Sequence, residues 1–176
     1  MRTIVFEPHA DDAILFCSYS ILENPGAYVI TVLGADGNRA KESRAAVNSL
    51  GVGARHDAWC IPELSPDWGE VEARMRVLSY DIPDAIVFAP AIEEGGHDHH
   101  SAVGKLTFEV FGEERCRFYL TYQRGHGRSR SDTEVVPREG WMAKKFQALA
   151  CYPSQIERAD TRPWFCSDDA LREWLL

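Results

Sequence analysis

Two short stretches of the chain concentrate the side chains able to do chemistry: Pro8-His9-Ala10-Asp11-Asp12 and His97-Asp98-His99-His100. An Asp beside a strand-to-helix turn is ordinarily a cap that accepts backbone N–H bonds, but one cap needs only one carboxylate. A divalent cation accounts for the surplus. His9 and Asp12 offer one nitrogen and one oxygen ligand, which leaves Asp11 beside the ion to handle a proton. In the second stretch His97 and His100 are three apart and can face one side of a helix, whereas His99 cannot join them once the helix has begun. The plainer reading is a polar loop with Asp98 as a cap and solvated histidines. Against it stands the crowding of three of the chain's six histidines into four residues.

These stretches must be carried to one place by the elements around them. Thr3–Phe6 has the β-branched and aromatic run of a buried strand, ended by Pro8. Ala13–Leu22 then has helical apolar spacing, and Tyr28–Leu33 is apolar throughout, as in a strand covered on both faces. A helix over Arg39–Leu50 with an Ala45/Ala46/Leu50 face, a weaker strand over Ala54–Ile61, and a helix over Glu70–Ser79 follow. A strand over Asp84–Ala89 stops at Pro90, and the loop Ala91–His100 leads into a helix over Ser101–Phe111. This alternation predicts a three-layer α/β sandwich with a mostly parallel sheet and right-handed crossovers. Neighbouring strands of such a sheet end along one edge, where ligands bind. Meeting there, the two stretches make a three-ligand site with a position open to water, the layout of a catalytic zinc.

The same residues resemble a known family. Pro8–Asp12 is similar to the PHPDD motif, and His97–Gly104 (HDHHSAVG) to the HPDHxAxG motif, of the PIG-L/LmbE-like metal-dependent N-deacetylases. Arg39–Arg44 resembles the family's R-x-x-E-x-R helix, Leu50-Gly51-Val52 its LGV, and Lys144–Gln155 (KKFQALACYPSQ) its late K…A…Y-x-S-Q stretch. The resemblance implies a Rossmann-like fold, zinc or another divalent cation held by His9, Asp12 and His100, Asp11 as general base, and His97 as the group that stabilises the oxyanion. It implies loss of an N-acyl group, most simply acetyl, from an amino-sugar-containing small molecule. Three positions depart from the family: Ala13 stands for Glu, Asp98 for Pro and His99 for Asp. The last removes a carboxylate suited to orienting a histidine ring, a job that Asp98 is placed to take over. Two other readings stay open: a metal-dependent hydrolase of another bond such as a phosphoester, and a binding module that keeps the fold without catalysis.

Arg39 lies just past the second strand and is expected to contact substrate, the alternatives being a solvated helix-end charge or an ion pair with Glu42. After an aromatic strand over Cys116–Tyr122, Gln123–Asp132 (QRGHGRSRSD) is a concentrated basic run in an acidic chain. It is read either as a lid that meets an anionic substrate through Arg124 and His126 or as a solvated loop. Glu134–Val136 suits an edge strand, and Trp141–Cys151 suits a helix. Tyr152, Ser154 and Gln155 either support the site from behind or simply pack. A short final helix over Ala170–Leu175 is expected behind Asp168-Asp169. Trp164, Phe165 and Trp174 pack on the body or form a patch for self-association as a homo-oligomer.

The 176 residues suit one domain spanning 1–176, with 45% hydrophobic and 26% charged residues, as in a folded chain. A formal net charge of −8 opposes general nucleic-acid or anionic-membrane binding. The opening MRTIVFEPH lacks the apolar core and cleavage site of a signal peptide, and no run approaches the ~20 apolar residues of a membrane span. The expected setting is cytoplasmic. The five cysteines (Cys17, Cys60, Cys116, Cys151, Cys166) are scattered with no C-x-x-C, and are expected to be buried small hydrophobes.

Overall fold

A computed structural model describes residues 2–34, 37–93, 96–121 and 133–176. Seven strands form one sheet: β1 (Thr3–Glu7), β2 (Tyr28–Leu33), β3 (Arg55–Ile61), β4 (Ile86–Pro90), β5 (Cys116–Tyr119), β6 (Thr133–Glu134) and β7 (Trp174–Leu175), in the order β3-β2-β1-β4-β5-β7-β6. The pairs among β1 to β5 are parallel, and β7 runs antiparallel to both β5 and β6. The chain builds outward from β1 to β2 and β3, then crosses back to lay β4 on β1's other side. That reversal between β1 and β4 is the switch point at which open α/β sheets form their ligand crevice.

Two apolar layers follow from strand periodicity. Val5 and Val29 face a core shared with α1 (Asp12–Phe16), α2 (Ser18–Glu23), α3 (Gly37–Ser49) and α6 (Trp141–Leu149). Ile4, Phe6, Ile30 and Val32 face the other core, covered by α4 (Trp68–Asp81) and α5 (Asp98–Phe111). Two short helices, α7 (Pro153–Ile156) and α8 (Arg162–Cys166), extend the first layer. The expected three-layer, mostly parallel α/β sandwich is the observed one. None of its helices is long and apolar enough to cross a membrane among the described residues.

Several local expectations are corrected. The helix expected over Ala13–Leu22 is broken at Cys17, whose φ of −140° starts a second helix. The break is held from far along the chain: Glu173 accepts hydrogen bonds from the Ser18 hydroxyl (2.6 Å) and the Tyr19 N–H (3.0 Å), capping α2. The final helix is instead a 3-10 turn over Asp168–Leu171 followed by β7. Strand alternation there sends Glu173 to Lys145 and Trp174 to a small apolar cluster with Ala91 and Leu120. The edge strand is Thr133–Glu134 rather than Glu134–Val136. On α3 the buried positions are Ser43, Ala46 and Val47, and Ala45 is exposed. All five cysteines are free, but only Cys17 and Cys116 are buried, while Cys60 and Cys166 are exposed. Phe165 and Trp174 are buried, in different clusters, and Trp164 packs on the core that holds Phe165, so the three do not form the exposed patch considered above.

Candidate metal centre

β1 ends at Glu7, and Pro8 turns the chain into α1, so His9, Asp11 and Asp12 sit at the switch point. Neither acid caps the helix. Asp11 occupies the N-cap position without a side-chain cap bond. The carboxylate of Glu7 caps α1 instead, accepting from Ala13 N–H at 2.9 Å, while Thr31 and Ser43 donate their hydroxyls to its other oxygen. Asp12 is turned back: its Oδ2 accepts from the His9 N–H at 2.8 Å and lies 3.3 Å from His9 Nδ1. The cap reading of the paired acids thus fails, because a third, buried acid does that work.

The second stretch arrives from β4. His97 is the N-cap of α5, its Nδ1 accepting from the His99 N–H at 3.2 Å, and His100 is buried in the first turn. Its Nε2 lies 3.2 Å from Asp12 Oδ2 and 3.3 Å from His9 Nδ1. One turn on, Gly104 lets α5 press against β4, since an added Cβ would stand 2.3 Å from the Pro90 carbonyl oxygen. Gly104→Ala is therefore expected to destabilise the fold by about 1–3 kcal/mol, read as a lower urea midpoint. A midpoint unchanged from wild type would show that α5 is not seated by this contact.

His9 Nδ1, Asp12 Oδ2 and His100 Nε2 thus stand in a triangle with sides of 3.2 to 3.3 Å. Ligands bound tetrahedrally at about 2.0–2.1 Å from one zinc are about 3.3–3.4 Å apart. The donor set of two imidazoles and a carboxylate is right for zinc, and the other Asp12 oxygen, Oδ1, is buried without a hydrogen-bond partner among the described residues. The residues fit a divalent cation.

Charge in the site follows from this crowding. Burial pushes Asp11 up, Asp12 beside it adds to the rise, and Arg39 opposes both, leaving its carboxyl at about 6. Burial also acts upward on Asp12, but His100 and His9 hold it far below the carboxylate range. His9 is lowered by burial, yet its hydrogen bond to Asp12 and the charges of Asp12, Asp11 and Glu63 bring it above its ordinary value. His97 is lowered, by burial first and then by the three neighbouring histidines. With Nδ1 accepting from a backbone N–H, the neutral ring carries its proton on Nε2.

Arg39 donates to Asp11 Oδ2 at 2.9 Å. Glu42, the partner considered for it, instead accepts from the N–H (2.9 Å) and hydroxyl (2.5 Å) of Ser154. The late motif thereby braces α3 from behind, with Tyr152 and Gln155 buried nearby. Arg124 and His126 lie outside the described residues, as does all of Gln123–Asp132. Asp98 is exposed on the first turn of α5 and does not take over ring orientation. His99, expected to be excluded from the cluster, approaches it: its Nδ1 stands 3.2 Å from His9 Nε2. The His9 ring lies between His100 and His99 and presents one nitrogen to each. Glu63 was missed. It follows β3, lies 3.6 Å from His9 Nε2, and spans Gly34, whose added Cβ would meet it at 2.7 Å. The signal available was an acid directly after Pro62, a proline that follows a strand as Pro8 follows β1.

A triple mutant of a deacetylase of the teicoplanin biosynthetic pathway superimposes with a TM-score of 0.74 at 20% identity, over 93% of this chain and 88% of that one. The N,N'-diacetylchitobiose deacetylase of Pyrococcus horikoshii does so at 0.68 and 19% identity, over 93% and 75%. The fold is the one these deacetylases share. It is also that of the 4-carboxy-2-hydroxymuconate hydratase of Pseudomonas putida KT2440 (TM-score 0.73, 14% identity, 94% of this chain and 83% of that one), so fold alone does not select a reaction. No protein-family model and no curated sequence matches the chain.

Proposed function

We propose that this chain, read as one domain, is a metal-dependent N-deacetylase of the PIG-L/LmbE-like family acting on an amino-sugar-containing small molecule, with zinc as the cation. The observation that carries the reading is the His9/Asp12/His100 triangle with the Arg39-bound carboxylate of Asp11 next to it. It is joined to the ordered set of family-like motifs and to the fold shared with two deacetylases.

His9, Asp12 and His100 hold the cation, whose Lewis acidity acidifies water and polarises an acyl oxygen. Asp11 is steadied through Oδ2 by Arg39, which leaves Oδ1 to take the proton of the attacking water and return it to the departing nitrogen. His97 needs no positive charge for its part, since Nε2–H of the neutral ring donates to the developing oxyanion. Arg39 then borders the substrate while holding the base.

The test is release of acetate and free amine from N-acetylated amino sugars by the zinc-loaded protein, beside His100→Ala. Release by the wild type, with loss of release and of the triad's cation in the variant, supports the reading. A protein that binds the cation yet releases no acetate, and instead adds water to an unsaturated hydroxy acid, would move it to the hydratase chemistry.

Asp11 also sets the pH dependence. The base works deprotonated, so kcat/KM is expected to fall tenfold per pH unit on the acid side, with a midpoint at about 6 or below once a cation offsets Asp12. Arg39 lowers Asp11 more than His9 does, so Arg39→Gln is expected to move this limb to higher pH. A limb that stays in place in that variant would show that Arg39 does not tune the base.

A further inference from the structure

The side of His9 facing away from the triad carries a second set of donors. His9 Nε2 and His99 Nδ1 are 3.2 Å apart, and a ligating nitrogen of His97 lies within 4.8 Å of both. The three ring centroids are 4.8 to 5.4 Å from one another. Glu63 Oε1 stands 3.6 Å from the same His9 nitrogen, and the indole of Trp68 packs against His99 at 6.1 Å. An all-imidazole set with one carboxylate in reach suits zinc, copper or nickel rather than a cation that prefers oxygen.

We propose that His9, His97 and His99 form a second divalent-cation site, with Glu63 beside it and His9 bridging the two cations as an imidazolate, its ring protons released to solvent as the cations bind. The residue that makes it possible is His99, which stands where the resembled family has Asp. His99 is partly exposed and His97 exposed, whereas His9, Asp12 and His100 are all buried, so the second site faces solvent and fills and empties more readily than the first. Cations on the two nitrogens of one ring sit roughly 6 Å apart, beyond the 3.5–4 Å of two-metal hydrolytic sites. The arrangement is therefore not a phosphoesterase pair. The second site shares His9 with the first and draws on the ring of His97, so a cation bound there competes with the oxyanion donation proposed above, and its uptake is read without reference to turnover.

The experiment is a zinc titration of the metal-stripped protein by calorimetry, with metal analysis after gel filtration. Cys60 and Cys166 are replaced by serine throughout so that exposed thiols take up no zinc. Two equivalents are expected in this background, one in His99→Ala, one in His100→Ala and none in the double variant. Circular dichroism confirms that each is folded. Uptake of a single equivalent by the parent protein, or of two by His99→Ala, would overturn the second site and leave His99 as a hydrogen-bonding partner of His9.

Discussion

Asp11→Asn is expected to lower kcat by about 10²–10⁴-fold while zinc content stays at the wild-type level. Asparagine matches the side chain in size and can still face Arg39, but it cannot accept a proton. Because Asp11 lies outside the triangle of His9, Asp12 and His100, its replacement leaves every ligand of the triad in place. The pairing of two readouts separates base from ligand. Turnover within tenfold of wild type would sink Asp11 as the base, and loss of zinc with turnover would make it a ligand instead.

The largest effect on stability is expected at the opposite end of α1. Lys145 and Glu173 form an ion pair at 2.7 Å with side chains 0% and 1% exposed, and Lys145 also donates to the Leu15 carbonyl at 2.8 Å. Glu173→Ala strands the ammonium in an apolar layer and removes the cap from α2, so unfolding stability is expected to drop by about 3–5 kcal/mol. Lys145→Met combined with Glu173→Leu removes both charges, and is expected to cost less than the single change. Urea denaturation of the three proteins decides it. A double variant as unstable as the single would place the cost in lost packing rather than in an unpaired charge.

What could be read from the sequence follows from range. Strands such as Tyr28–Leu33 are apolar on both faces and announce a buried parallel sheet by local pattern alone. The triad was legible for a related reason: His9, Asp12 and His100 sit one or two residues past strand ends or on a first helical turn, where topology delivers side chains to one edge. The misreadings turn on partners that no local pattern marks, most of them far apart in sequence. Asp11 and Asp12 look like caps until Glu7, folded back from the strand, is seen to hold Ala13 N–H. Helical spacing runs unbroken through Cys17, and the break comes from Glu173. His99 fails the same-face rule for its own helix, yet meets the cluster because the ring of His9 stands between it and His100. Glu63 belongs to a weak strand's exit loop and carries no local mark beyond its preceding proline.

The clasp between Glu173 and Ser18 spans 155 positions. During synthesis the His9–Asp12 loop and its helix leave the ribosome well before the carboxylate that starts α2 and neutralises Lys145. The nascent chain must therefore carry its first helical layer incompletely closed until Glu173 has emerged, with the apolar faces of α1 and α6 open to chaperones.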